Sequence, residues 1–422
     1  MISIRILSMV LATVLALGTA SELLATDPAL SLEIGDPDRR NKKAPLVLDA
    51  ITDTRTGELL SPSQLAKRLA DTRLVLVGET HTDINFHRAQ LRVIQELHKA
   101  GRDVVVGLEM FPYTKQEHLD YWSAGHYTEE GFLELSEWYD TWGTQWGYYR
   151  EIFHYARDAG LPMYALNTPR EVVAAVRKKG FDELTEDEKA LMPPSVDTDD
   201  EEHYLLFKAF FEEEEDEFHA SMTEEQWQGM FNAQCTWDAT FGNNALRVLG
   251  THPDPNAVLV VLVGTGHVAY DLGIQRQVSN WAEIPISTIV PMPVQEWDED
   301  EPIGEIQASY ADYLWGLPRE TDPIFPTLGV STRSTGDEGR RTVIYVAEDS
   351  VGEAAGFQLG DLLLDVDGIE VHDQATFAKI LADKRWGDTA VVKVKRGDEE
   401  VTLEVAFRRE LPQPEGEEEN DS

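Results

Sequence analysis

The chain has 422 residues, and its 36 lysines and arginines against 77 aspartates and glutamates give a formal net charge of −41. This length corresponds to about two or three domains, and a hydrophobic fraction of 42% is typical of a globular chain. The charge argues against nucleic-acid binding, because phosphate affinity comes from lysine and arginine, and it also disfavours docking on anionic lipid.

The first 20 residues are typical of a secretory signal peptide. Arg5 precedes an apolar run over 6–17, and small residues follow at Gly18-Thr19-Ala20, where cleavage would occur. The alternative is an N-terminal membrane anchor, but the run is short for a span, and no later segment approaches about 18 apolar residues. We therefore expect an exported protein, periplasmic or secreted, without a membrane span in its mature form.

Cys235 is the only cysteine of the chain, so no internal disulfide can form. It lies far from the signal region, so we expect that the protein is not a lipoprotein. The apolar and aromatic residues around Cys235 predict a buried position on a helix.

An α/β domain is predicted over about 44–296, after a polar segment, 21–43, that is predicted to be a flexible lead-in. Residues 86–99 have helical spacing of apolar side chains, and a further helix is predicted to end near 160. Continuous β-branched runs separated by helices indicate a mainly parallel sheet covered by helices on both faces. The predicted strands are 74–77, 103–108, 161–166, 258–263 and 284–290.

The remaining chain divides by composition. A helical insertion is predicted over about 180–232, and its acidic middle, 197–217, is interpreted as a solvated cap. Prolines and acidic residues predict a linker over 297–322. A small α+β domain is predicted over 323–410, and the acidic tail 411–422 has the composition of a disordered segment.

Side chains that could bind a ligand or take part in catalysis follow four of the predicted strands. Ligands of open parallel sheets bind at the carboxyl ends of the strands, so these side chains should meet at one rim. Glycines beside two of the histidines let the backbone approach a ligand closely. The residues are Glu79 and His81 after the first strand, Glu109 after the second, Asn167 and Arg170 after the third, and His267 after the fourth.

Two histidines and two carboxylates can bind a divalent metal such as Zn, Mn or Fe. His81, Glu109 and His267 are the candidate ligands, and Glu79 or Glu109 could act as a general base. The alternative is structural: loop glycines, a helix-capping Glu79 and satisfied polar histidines. The spacing is not that of an HExxH helix, so the prediction of a site does not by itself predict a metal.

The same residues resemble the ChaN-like haem-binding uptake family of the Tiki superfamily, over about 65–290. The resemblance implies haem binding and iron acquisition, as in ChaN-like members, or metal-dependent peptidase activity at His81, Glu109 and His267, as in Tiki-type relatives. The matching motifs are Gly78-Glu79-Thr80-His81, Leu108-Glu109-Met110, Asn167-Thr168-Pro169-Arg170 and Gly264-Thr265-Gly266-His267, with Gln234 and Asp238 on a late helix.

Haem requires an apolar slot and an axial tyrosine or histidine. The aromatic stretch 138–149 is one candidate for the slot, and the alternative is that it packs into the core. Tyr113 and His118 are candidate haem contacts because they follow Glu109. Other candidate cofactor-binding residues are Asn167, Arg170 and Asp238, and no motif identifies the axial ligand.

Residues 323–408 resemble the PDZ domains of bacterial exported proteases. Thr327-Leu328-Gly329-Val330 resembles the carboxylate-binding loop of such domains, and the run from Ala354 to Gly368 resembles their later motif. A peptide adds to a PDZ domain as an extra strand, and the amides of Leu328, Gly329 and Val330 would hold its terminal carboxylate. The alternative is a PDZ fold used only for packing within the chain.

Three functions follow from these patterns. The leading hypothesis is an exported haem- or metal-cofactor-binding protein linked to iron uptake, whose PDZ domain recruits a peptide or protein partner. The second is a metal-dependent peptidase whose substrate tails are presented by the PDZ domain. The third is a non-catalytic PDZ scaffold.

Overall fold

The computed structural model describes residues 28–212, 222–294, 304–320, 323–335 and 340–409. They form two compact units, an α/β unit of 28–136 and 147–320, and a second unit of 137–146 and 323–409. The predicted signal peptide, the two ends of the predicted linker (297–303 and 321–322) and the acidic tail lie outside the described residues. Within the described residues, no helix is both long enough and apolar enough to cross a membrane.

The strands and helices are numbered in chain order through both units. The strands are β1 (Lys43–Pro45), β2 (Ile51–Asp53), β3 (Leu59–Leu60), β4 (Leu74–Glu79), β5 (Val104–Pro112), β6 (Met163–Asn167), β7 (Val258–Gly264), β8 (Ile286–Val294), β9 (Glu305–Gln307), β10 (Tyr313–Pro318), β11 (Val330–Thr335), β12 (Arg340–Val346), β13 (Leu362–Val366), β14 (Ile369–Glu370), β15 (Thr389–Arg396) and β16 (Glu399–Ala406). The helices are α1 (Pro62–Arg68), α2 (Ile84–Lys99), α3 (Gln116–Ser123), α4 (Glu129–Leu135), α5 (Trp138–Thr141), α6 (Arg150–Asp158), α7 (Arg170–Lys179), α8 (Glu186–Ala190), α9 (Glu201–Glu212), α10 (Glu224–Thr251), α11 (Ile274–Ser279), α12 (Val351–Ala355) and α13 (Gln374–Ala382).

The α/β unit is built on an eight-stranded sheet of order β3-β2-β10-β8-β4-β7-β5-β6. All neighbours from β10 to β6 are parallel, and β2 and β3 add an antiparallel edge. This confirms the predicted mainly parallel sheet flanked by helices. Its five predicted strands correspond to β4, β5, β6, β7 and β8.

Strand order brings the carboxyl ends of β4, β7 and β5 together. The chain passes from β4 to β5 and β6 on one side, and β7 then inserts between β4 and β5. From β7 the chain crosses to β8, on the other side of β4. Such a reversal of direction leaves a crevice outside the carboxyl ends of the central strands, which is where open sheets bind ligands.

The predicted linker, 297–322, contains strand structure in its described part. β10 pairs with β8 in the central sheet, and Leu314 is fully buried. β9 pairs with β1 outside that sheet. Prolines and acidic residues dominate the composition of the segment, but residues 314–317 are buried consecutively, as in a strand inside a sheet, and β10 lies between β2 and β8.

Part of the predicted flexible lead-in is buried in the folded chain. Arg39 is buried, with a side-chain exposure of 3%, and it pairs with Asp36, Asp271 and Asp312 at 2.7, 3.4 and 3.2 Å. The pattern of charges resembled a solvated segment, but a buried guanidinium needs carboxylate partners, and the folded chain supplies them from distant positions.

The second unit is an antiparallel sheet of order β11-β12-β13-β15-β16, with β14 paired to β13. Its core includes Leu328, Leu363, Phe377 and Phe407. β11 lies at one end of the sheet, and Thr332 on β11 contacts Gln374 on α13. This confirms the predicted small domain, with a strand edge next to a helix.

We predict that Leu314→Ala destabilises the protein by about 2–5 kcal/mol, the cost of truncating a buried leucine. Leu59→Ala is the matched control, because Leu59 lies in the same sheet but its residue is 47% exposed. Urea denaturation would measure both free energies of unfolding. Equal values for the two variants would contradict the placement of β10 in the sheet.

Candidate functional site

The two Gly-x-x-His turns pack directly against each other at the rim. A Cβ placed on Gly78 would lie 2.9 Å from Thr265 Oγ1, so the first turn needs glycine at this position. Thr265 Oγ1 in turn donates a hydrogen bond to the Glu79 carbonyl, at 3.3 Å. A Cβ on Gly264 would meet His81 Cε1 at 3.3 Å, and Glu109 and His267 each at 3.7 Å. The second turn therefore lies next to His81, Glu109 and His267.

The Glu79 carboxylate is enclosed by donors. Oε1 accepts from His81 Nδ1 at 2.8 Å and from the Tyr149 hydroxyl at 2.6 Å. Oε2 accepts from Gln90 Nε2 at 2.7 Å and lies 3.4 Å from His87 Nδ1. Its side chain has no solvent exposure.

These contacts fix the charge of Glu79. Burial alone raises the pKa, but the His87 charge and the hydrogen bonds from His81 and Tyr149 outweigh it, and the pKa falls to about 2. A carboxylate with so low a pKa and four close donors is a poor general base. Its contacts indicate that it orients His81, as carboxylates beside ligating histidines do.

His81 presents its ring to the rim. Nδ1 faces Glu79, so the lone pair of the neutral ring lies on Nε2. The side chain is 27% exposed. Burial lowers the pKa of His81, but the hydrogen bond to Glu79 and its charge outweigh this and raise the pKa above the ordinary value. His81 has the tautomer and the exposure that an iron or zinc ligand requires.

Glu109 sits at an irregularity in β5. The register between β5 and β6 shifts between Leu108 and Pro112, and Asn167 Nδ2 donates to the Glu109 carbonyl at 2.8 Å. Glu109 Oε2 accepts from the Gly264 amide at 2.7 Å, and Oε1 lies 3.5 Å from His267 Nε2. The bulge thus directs the Glu109 carboxylate towards the second turn, and Asn167 supports it from behind.

His267 is held between two carboxylates. Nδ1 bonds Asp238 Oδ1 at 2.6 Å, and Nε2 faces Glu109. Burial lowers the pKa of His267, but Asp238 and Glu109 outweigh it and raise the pKa to about 10. His267 therefore carries a positive charge at neutral pH.

Three side chains at the rim are grouped closely enough that they could hold a metal ion. Ligand atoms of Glu79, His81 and Glu109 all lie within 4.8 Å of one another. The prediction named His81, Glu109 and His267. Of these three, His267 lies next to Glu109, with 3.5 Å between Nε2 and Oε1, while its Nδ1 bonds Asp238.

Other predicted cofactor residues lie in separate environments. The Tyr113 hydroxyl donates to the Leu191 carbonyl at 3.1 Å, and His118 Nδ1 lies 3.3 Å from the Tyr127 hydroxyl. Arg170 is exposed at the first residue of α7. In the aromatic stretch, Trp138 and Tyr149 are fully buried, as the core-packing alternative expects.

Sequence reasoning missed three residues that surround Glu79: His87, Gln90 and Tyr149. His87 and Gln90 lie three residues apart on the buried side of α2. Polar side chains on the apolar face of a helix are a signal that could have indicated them. Nothing in the local pattern distinguished Tyr149 from its aromatic neighbours.

The carboxylate-binding loop of the second unit has the expected backbone. Gly329 has φ +70°, and a Cβ there would lie 2.3 Å from the Ser350 Cβ, so only glycine fits. The Leu328 and Gly329 amides donate to no acceptor among the described residues, whereas the Leu328 carbonyl accepts from Gly352 at 2.7 Å. The loop leads directly into β11, which starts at Val330 and lies at one end of the sheet.

The sequence places this chain in a family of haem-binding proteins. It belongs to the family described as haem-binding uptake, Tiki superfamily, ChaN, whose model matches residues 65–278. A PDZ domain model matches residues 326–407.

Individual relatives are more distant. A curated protein, RETICULATA-RELATED 5, chloroplastic, of Arabidopsis thaliana, is 28% identical over 138 residues, which cover 30% of this chain and 18% of that protein. A solved structure of cofacial heme binding to ChaN of Campylobacter jejuni is 18% identical, with a TM-score of 0.48 over 64% of this chain and 98% of that one. The HtrA3 PDZ domain bound to a phage-derived ligand is 19% identical, with a TM-score of 0.18 over 20% of this chain and 85% of that one.

We predict that Glu79→Gln makes the protein less stable at neutral pH and flattens its response to acid. The pKa of Glu79 falls from 4.5 to about 2 on folding, so its stabilisation is complete above pH 4.5 and is lost as the pH falls towards 2. At pH 7 the variant should lose about 3–5 kcal/mol, because buried donors keep no anionic partner.

Urea denaturation from pH 2 to pH 7 would measure this effect, with the exposed Glu225→Gln as the control. The difference in free energy of unfolding between the wild type and Glu79→Gln should become smaller below pH 4.5. A difference that stays constant from pH 2 to pH 7 would show that the pKa of Glu79 is not lowered in the folded chain.

Proposed function

We propose that this is an exported haem-binding protein of iron uptake, in which the rim of the α/β unit holds haem through His81. The observation that carries the proposal is the Glu79–His81 pair, in which a buried anion fixes the tautomer of a partly exposed imidazole. Membership of the haem-binding uptake family supports it.

The residues at the rim fit the group. Haem, when bound, would supply an iron that a histidine nitrogen can ligate. His81 is suited to that position because Glu79 orients it. Tyr113 and His118, the other candidates, direct their polar atoms to Leu191 and Tyr127. His267 is the poorer ligand, because its Nε2 is protonated and faces Glu109.

Titration of the purified apoprotein with hemin tests the proposal. We expect a saturable Soret band for the wild type, and for His81→Ala an affinity about 10–100-fold lower, the scale on which ligand-shell changes act. His118→Ala is the matched control and should bind as the wild type does. Absence of a saturable band, or equal affinity in His81→Ala, would reject haem ligation by His81.

A metal-dependent hydrolase is the second candidate, favoured by the clustering of Glu79, His81 and Glu109 within 4.8 Å. Here Glu109 is the better candidate for the base, because its Oε2 has the Gly264 amide as its donor whereas Glu79 is enclosed. Metal analysis of the purified protein separates the two candidates. Protein free of metal that cleaves no peptide after addition of Zn, Mn or Co would exclude the hydrolase.

Export is part of the proposal and rests on the signal-like residues 1–20. N-terminal sequencing of the protein recovered from outside the cytoplasm tests it, with a start after Ala20 expected. A chain that keeps Met1 and stays in the cytoplasm would contradict it.

The PDZ domain is proposed to bind the free carboxyl end of a peptide or protein partner along β11. We predict that Gly329→Ala abolishes selection of peptides from a library of displayed free C-termini, because the added Cβ collides with Ser350 and moves the loop amides. Gly397→Ala is the control: its φ is +62°, also a strained position, but nothing lies within 4 Å of its Cβ. Enrichment of the same peptides by wild type and Gly329→Ala would contradict carboxylate capture by this loop.

A further inference from the structure

Helix α9, in the acidic insertion, contributes side chains to the rim. His203 and Phe210 are seven residues apart, so they share one face of the helix two turns apart. His203 is buried, and Phe210 is half-buried at the rim end of the same face. The insertion is therefore more than a solvated cap.

The position of α9 is fixed by polar contacts at its start. Arg276 Nη2 lies 3.2 Å from His203 Nδ1, and His203 Nε2 lies 3.7 Å from Asp238 Oδ2. Glu202 accepts from the Gly35 amide at 3.0 Å and pairs with Arg40 at 2.8 Å. These contacts join α9 to α10, to α11 and to the N-terminal segment.

Two aromatic rings flank the second Gly-x-x-His turn. Phe210 Cε2 lies 3.8 Å from a Cβ placed on Gly266. The Trp237 ring lies 6.3 Å from the His267 ring, at an angle of 89°. Both rings pack against the core on one side and are only partly buried. Phe210 thus lies beside Gly266 of this turn, and His81 lies beside Gly264.

We propose that Phe210 and Trp237 form the apolar wall against which the flat face of a tetrapyrrole packs at this rim. The inference rests on the proposed haem function and adds the residues that bind the macrocycle rather than the iron. A large flat apolar ligand needs aromatic surface beside its polar anchor, and these two rings provide it next to the turn that adjoins His81.

Metal-free protoporphyrin IX distinguishes packing of the macrocycle on Phe210 and Trp237 from ligation of the iron by His81. Hemin and protoporphyrin IX would each be titrated into the full chain and followed by absorbance and by porphyrin fluorescence. Phe210→Ala and Trp237→Ala should each weaken both ligands by about tenfold, the scale of one aromatic stacking contact. His81→Ala should weaken hemin only, because protoporphyrin IX has no iron to ligate.

Leu205→Ala is the matched control, since Leu205 lies on α9 with 47% exposure and should leave both affinities unchanged. Phe210→Leu and Trp237→Leu, which keep most of the packing volume, should fold as the wild type does and still weaken both ligands. If the wild type binds hemin and all four variants of Phe210 and Trp237 keep the wild-type affinities, the proposed apolar wall is wrong. The proposed haem function would still stand. Failure of the wild type to bind either ligand would overturn both.

Discussion

The buried carboxylate of Glu79 is the interaction on which the site depends. Burying an ionised carboxylate costs free energy unless hydrogen-bond donors surround it. Removing one partner from such a group destabilises a protein more than replacing the whole group with apolar side chains. Here the donors come from the turn after β4, from α2 and from the segment before α6. The anion therefore fixes two helical elements on the sheet at the same time as it fixes His81.

The two histidines of the paired turns have different carboxylate surroundings. His81 has a carboxylate at Nδ1 and a ring that is 27% exposed, whereas His267 has Asp238 at Nδ1 and Glu109 at Nε2. One carboxylate raises the basicity of a ring nitrogen and leaves the other nitrogen to act as a ligand. Two carboxylates hold the ring as a cation. Similar sequence motifs thus give one candidate ligand and one positive charge that compensates Glu109.

The sequence was sufficient for features that depend on continuous local patterns. Runs such as Leu74–Val77 and Val258–Val263 predicted buried parallel strands, and strand order then required Glu79, Glu109 and His267 to meet. What it could not supply were partners chosen across long distances. Tyr149 reaches Glu79 over 70 positions, and Arg39 finds Asp271 over 232. Neither pairing produces a periodic pattern in the sequence, because each depends on packing of the completed sheet.

The acidity that dominates the composition has two roles in the insertion, and only one of them is solvation. Exposed carboxylates such as Glu201 and Glu225 add surface charge, which favours solubility outside the cell under the proposed export. Asp197 and Asp200 instead approach Arg276, at 2.7 and 3.9 Å, and Glu202 pairs with Arg40. Because Arg276 also approaches His203, these carboxylates hold the first turn of α9 in place. Two turns later the same helix places Phe210 at the rim, so acidic residues outside the site determine where its aromatic surface lies.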